Sequence, residues 1–136
     1  MQTTLRKKTR GERGSMLVEG ALCITVYLMI LFGTIDFGRM VFAYNYVSYA
    51  AREATRYASV RGTTHATTAA ALLTLVQNEA IGLNSGSFTV TPTWTPSHAP
   101  GGTVQVQVQY SFQPIAPYMP VGPITLSSTS KMLISQ

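Results

Sequence analysis

Residues 16–35 read MLVEGALCITVYLMILFGTI, and Glu19 is the only charge among them. Residues 20–35 carry no charge at all. An α-helix needs about 20 largely apolar residues to cross the hydrocarbon core of a bilayer. The run meets that length with Glu19 at its edge, which predicts a transmembrane segment over about 16–36. The competing reading is a buried core helix. A chain of 136 residues offers too little protein to surround such a helix on every side.

The flanks give the run a direction. Arg6, Lys7, Lys8, Arg10 and Arg13 precede it, against Glu12. Only Arg39, Arg52 and Arg56 fall in the twenty residues after Asp36. The excess of positive charge stays on the cytoplasmic side, so the N-terminus is expected in the cytoplasm and the C-terminal region in the periplasm or outside the cell. A cleaved secretory signal would need small residues in an A-x-A pattern after the run; DFGRMVFAYNY follows Ile35 instead. Leu22 before Cys23 also departs from a lipoprotein signal. The segment is therefore expected to stay attached.

Of the formal +5, the first fourteen residues hold five bases against one acid, and residues 15–136 hold five against four. The basic excess belongs to a tail, and no basic face remains for nucleic acid. Charged residues make only 11% of the chain, where soluble domains carry about 25%. Residues 62–136 hold Glu79 and Lys131 as their only charges, with His65 and His98. That is poor material for an active site, so no catalytic residue and no cofactor are expected. One cysteine, Cys23, excludes an intrachain disulfide, and no ligand set at metal spacing appears.

Three regions follow. Residues 1–14 are a basic cytoplasmic leader, expected to be disordered. Residues 15–61 are a long helix: beyond Asp36, the positions Phe37, Met40, Val41, Tyr44, Val47, Ala51, Ala54 and Ala58 recur at helical spacing, with Gly62 as C-cap. Gly33 and Gly38 are places for a bend near the membrane surface. Residues 62–136 are an extracytoplasmic α+β region. In it, 66–80 read as a shorter helix. Phe88, Val90, Pro92 and Trp94 alternate with threonines, and 95–102 read as a loop. Val104, Val106, Val108, Tyr110 and Phe112 alternate with polar residues in the clearest strand of the chain. Prolines make 113–123 an extended loop, and 124–134 a last strand. The fold class is α+β, with a long N-terminal transmembrane and amphipathic helix packed on a small antiparallel sheet. The apolar stripe of the helix and the Val/Tyr/Phe face of 104–112 each need a partner, and the sheet has edges that another subunit could occupy.

Gly14-Ser15-Met16-Leu17-Val18-Glu19 is the most informative stretch. An acid in the second turn of a helix is favoured by the macrodipole. That does not explain its place inside an apolar run, where a charge costs about 3 kcal/mol on insertion scales. The stretch resembles a class III, type IV pilin-like signal. That resemblance implies cleavage by a prepilin peptidase between Gly14 and Ser15. Glu19 would then be the position-five acid that meets a neighbouring subunit's amino terminus. DFGRMVFAYNYVSYAAREATRYA, residues 36–58, is similar to the TadE-like family of small pilin-like proteins from tight-adherence pilus systems. Gly20 follows Glu19, where processed pilins of these systems usually carry an aromatic. The resemblance implies a pilin-like fold and, as partners, the prepilin peptidase, TadF-like and major-pilin subunits, inner-membrane platform proteins and membrane lipid.

Asp36 and Arg39 are spaced to pair at i, i+3, as are Glu53 and Arg56. Each pair reads as a solvated helix pair or as an intersubunit contact at the membrane surface. Arg52 and Arg56 repel at i, i+4, which points to an acidic partner or lipid headgroups. Tyr44, Tyr46, Phe37 and Phe42 suit an interfacial aromatic belt, whereas packing is expected for Tyr49 and Tyr57. The functional expectation is a single-pass inner-membrane minor pilin or pseudopilin acting in tight-adherence (Flp-type) pilus assembly. The alternatives are a signal-anchored periplasmic binding module and a pseudopilin of a general secretion machine.

Overall fold

The computed structural model describes residues 10–61, 68–115 and 122–135, with side chains from Gly14 onward. Helix α1 spans Arg10–Val60 without a break, 51 residues, which at 1.5 Å per residue is about 76 Å. It includes the five residues before Ser15, so residues 10–14 are helical rather than disordered. Gly14 does not stop it: a glycine inside a helix costs only about 1 kcal/mol, and the apolar residues beyond it are strong helix formers. Neither Gly33 nor Gly38 interrupts it. Thr25 and Thr34 donate their hydroxyls to the carbonyls of Ala21 and Ile30 at 2.8 Å. The helix thus satisfies the hydroxyls of both threonines within the apolar stretch. The expected cap at Gly62 lies outside the described residues.

Helix α2 spans Ala69–Glu79, inside the expected 66–80, and the Thr68 hydroxyl caps it by accepting from the Ala71 amide. The strands are β1 Phe88–Thr95, β2 Thr103–Phe112 and β3 Ile124–Leu133. They form one antiparallel sheet in the order β1-β2-β3. Pro92 lies in β1, an edge strand, where a missing amide is tolerated. The β1–β2 turn closes tightly: a Cβ on Gly102 would lie 2.6 Å from the Ser97 carbonyl.

The alternation predicted for 104–112 is the centre of the core. Val104, Val106, Val108, Tyr110 and Phe112 are buried, and Gln105, Gln107, Gln109 and Ser111 lie on the other face. Burying one valine stabilises by roughly 1.5–3 kcal/mol. α1 packs against β2 and β3, and α2 against β1. Strand β2 runs opposite to α1. Its Phe112 end lies under Arg39. Its Thr103 end pairs with Leu133, two residues before Ser135, whose amide donates to the Ser59 carbonyl at 3.2 Å. The lengths match: α1 rises about 35 Å from Asp36 to Ser59, and a ten-residue strand extends about 34 Å.

The seam on α1 is not the predicted one throughout. Val47, Ala51, Ala54 and Ala58 are buried as expected, but Ala43, Ala50, Thr55 and Ser59 complete the face. Phe37, Val41 and Tyr44 are exposed. The reason is size. The seam meets Ser128 and Ser130 of β3, which pair with Val108 and Val106, and the Thr55 hydroxyl reaches the Ser130 carbonyl at 3.4 Å. Helix and sheet approach closely enough that alanines fit and aromatics do not.

Candidate functional site

Among the described residues, the sheet and α2 leave the first half of α1 uncovered. From Gly14 to Ile35 every residue is exposed except Gly20 and Gly33, which are half-buried. Its most apolar window has none of its residues buried inside the protein, and it is long and apolar enough to cross a membrane. The buried-core alternative therefore fails. An exposed apolar surface of this extent marks a membrane or a partner.

Along this half, Gly14 and Ser15 sit in open helix, and a Cβ at Gly14 would meet nothing within 4 Å. Glu19 is exposed, and no ion pair among the described side chains engages it. Cys23 is an exposed free thiol. Among the described residues, nothing demands a glycine at 14 or an acid at 19.

At the end of the apolar run the chain changes character. Asp36 is 8% exposed, and its carboxylate accepts from the Arg39 guanidinium at 2.9 Å. It also accepts from the Ile115 amide, at 2.9 and 3.1 Å for its two oxygens. The i, i+3 pair thus forms as its spacing allows, but the carboxylate is buried and ties the segment after β2 to the helix. Arg39 in turn lies over the Phe112 ring, 5.2 Å from its centroid, a cation–π contact. Together these bonds fix the membrane-side end of the sheet against α1, one residue past Ile35. Sequence spacing pointed to Asp36 and Arg39. It held no signal for Ile115, whose partner is 79 residues away.

At the far end, Arg56 pairs with Glu53 at 3.1 Å, and Arg52 donates to the Ser48 carbonyl at 3.1 Å. Arg52 and Arg56 stand about 25 and 31 Å beyond Ile35 along the axis. For a helix near the membrane normal this clears the headgroup zone. Arg61 stacks on Tyr57 at 3.7 Å.

Among the aromatics, Phe37, Phe42 and Tyr44 are exposed, as a belt requires. Tyr46 instead packs against the core and donates its hydroxyl to the Val76 carbonyl. Burial, with smaller contributions from Glu79 and Tyr49, pushes its pKa up to about 12. Tyr49, expected to pack, is exposed. His98 stacks on Trp94 with centroids 4.4 Å apart, and His65 lies outside the described residues. Among the described residues, no three His, Cys, Asp or Glu side chains converge as a metal site would require.

The family model of TadE-like proteins matches residues 14–56. That range takes in the whole apolar half of α1, the Asp36–Arg39 pair and the alanine seam as far as Arg56. It is the stretch on which the sequence resemblance rests. No curated protein and no solved structure matches the chain.

Proposed function

From the TadE-like character of residues 14–56, we propose that the protein is a single-pass inner-membrane minor pilin or pseudopilin that acts in the assembly of a tight-adherence (Flp-type) pilus. The observation that carries this reading is the division of α1. Its distal half is occupied by the chain's own sheet, while its apolar half is left bare for lipid and for the helices of other subunits.

In this reading the N-terminus is cytoplasmic and residues 62–136 lie outside the inner membrane. A prepilin peptidase cuts after Gly14 and removes the leader. The glycine is explained by that partner: it has open space around it, weakens the helix locally and lets the peptide unwind into a protease cleft. Cleavage leaves a positive amine about one helical turn from Glu19. A neighbouring subunit's amine in the same apolar layer then neutralises an acid that is costly alone. Other pilin-like subunits and the platform proteins are the partners, and the mechanism is packing rather than catalysis.

Two variants test it. Gly14→Val should block processing and leave a band about 14 residues heavier, as the peptidase tolerates little bulk there. Glu19→Ala should insert and be processed but fail to support pilus assembly. Wild-type protein that still begins at Met1 in assembling cells, with Gly14→Val running at the same mobility, would reduce the chain to a signal-anchored protein.

A further inference from the structure

Just beyond Ile35, α1 and the sheet domain enclose a groove of about 420 Å³. Ile35, Phe42, Leu83 and Phe112 give it apolar walls, and Arg39 and Asn84 line it as well. A second hollow of about 270 Å³ continues it past Arg39 and Asn84 to Gln113 and Ile115. Among the described residues, Arg39 is the only charged one lining either. Asp36 lines neither, being turned inward to Ile115. A guanidinium has five N–H donors, and the Arg39 side chain is 43% exposed, so donors remain beyond its bond to Asp36.

The height of the groove decides what it meets. Arg39 stands four residues after the end of the apolar run, about 6 Å higher on the axis. The headgroup layer adds about 5–7 Å to each side of the hydrocarbon core. The guanidinium is thus at phosphate level, and the groove's apolar wall at Ile35 faces the chains below. Its rims are apolar too. Ile81, next to the 82–84 loop, is 85% exposed, and Ile115 is 58% exposed. No charged residue lies in 80–87 or 113–115. A groove whose described lining holds one cation and no anion, with protruding isoleucines beside it and the exposed Glu79 two residues before Ile81, fits the zwitterionic or anionic face of a bilayer.

We propose that the groove beside Arg39 seats the headgroup phosphate of a phospholipid, with Ile81 and Ile115 set into the membrane interface on either side. The protein then has a second membrane contact besides its helix, and the sheet is held at a fixed attitude to the bilayer. This rests on residues 16–35 crossing the membrane, and not on the machine the protein serves.

The shared chemistry is a phosphate, and the test separates a lipid from a free anion. Full-length protein in detergent doped with phosphatidylglycerol is examined by native mass spectrometry. Wild type should retain one phospholipid, Arg39→Gln at least fivefold less, and Asn84→Ala, which leaves Asp36 and Arg39 in place, at least twofold less. Equal retention in all three overturns the proposal. So does full displacement of the lipid by 100 mM inorganic phosphate, which would make the groove a free-anion site. Spin labels in a Cys23→Ala background, in phosphatidylethanolamine/phosphatidylglycerol nanodiscs, read depth independently. A label at Ile81→Cys should be relaxed more by lipid-soluble oxygen than by a water-soluble nickel chelate, and one at Thr91→Cys the reverse. If the Ile81 label reads water while a Tyr27→Cys label reads lipid, the interface contact falls and the anchor stands. If both read water, both fall.

Discussion

Asp36→Ala removes the one carboxylate that fastens the membrane-side end of the sheet to α1. Its two oxygens accept from the Ile115 amide at 2.9 and 3.1 Å. A hydrogen bond to a charged group contributes about 1.5–3 kcal/mol. The Arg39 pair adds only a few tenths, because Arg39 is 43% exposed and solvent screens it. The loss is therefore about 2–3 kcal/mol. For a sheet domain of about 100 residues, that lowers the melting temperature by roughly 10–20 °C. Trp94, the only tryptophan, lies in β1 and reports the transition by fluorescence in detergent. Asp36→Asn keeps an acceptor for the Ile115 amide and should lose about 1 kcal/mol. An Asp36→Ala protein that melts within 2 °C of wild type would refute the fastening role. The bond would then be one that water replaces at no cost.

The sheet and the α1–α2 contact supply further expectations. Val106→Asp puts a charge among fully buried side chains and should destabilise by about 3–5 kcal/mol, whereas Gln107→Asp, on the other face, should change stability by about 0.5 kcal/mol or less; limited proteolysis separates them, and equal resistance would contradict the observed register. Tyr46 holds its proton more tightly folded than unfolded, with a pKa raised from about 10 to about 12. Its contribution is therefore complete below pH 10 and lost as the pH rises through 12; Tyr46→Phe should flatten that part of a stability–pH curve, and an unchanged slope would contradict the assignment.

The sequence was most informative where the pattern had one period and one cause. Val104 to Phe112 alternate strictly, so strand and inner face both follow from nine residues. The apolar run of 16–35 is equally plain, since its length and lack of charge meet a single physical requirement. The seam on α1 was half legible. Periodicity marks apolar positions but not their size, and Phe37, Val41 and Tyr44 are all bulkier than Ala43 and Ala50. Only the small residues opposite, Ser128 and Ser130, show that the contact selects alanine. The start of α1 is hard to read in the sequence because Gly11 and Gly14 resemble breakers when read alone, while a long helix absorbs a local loss of about 1 kcal/mol per glycine. The Ile115–Asp36 bond was out of reach, because a backbone amide carries no sequence signature and its partner is set by the whole sheet. At Gly14 and Glu19 the gap is of another kind. Among the described residues nothing demands them, and their proposed roles depend on partners outside the chain.

The proposed geometry is a single crossing with the leader in the cytoplasm and the sheet domain outside, and a pair of reporters fused after Gln136 measures it directly in living cells. A reporter active only in the periplasm should be active there, and one active only in the cytoplasm should be silent. The reverse pattern would put Gly14 and the basic leader on the wrong face for a cytoplasmic-side peptidase, and the pilin reading would lose its geometry.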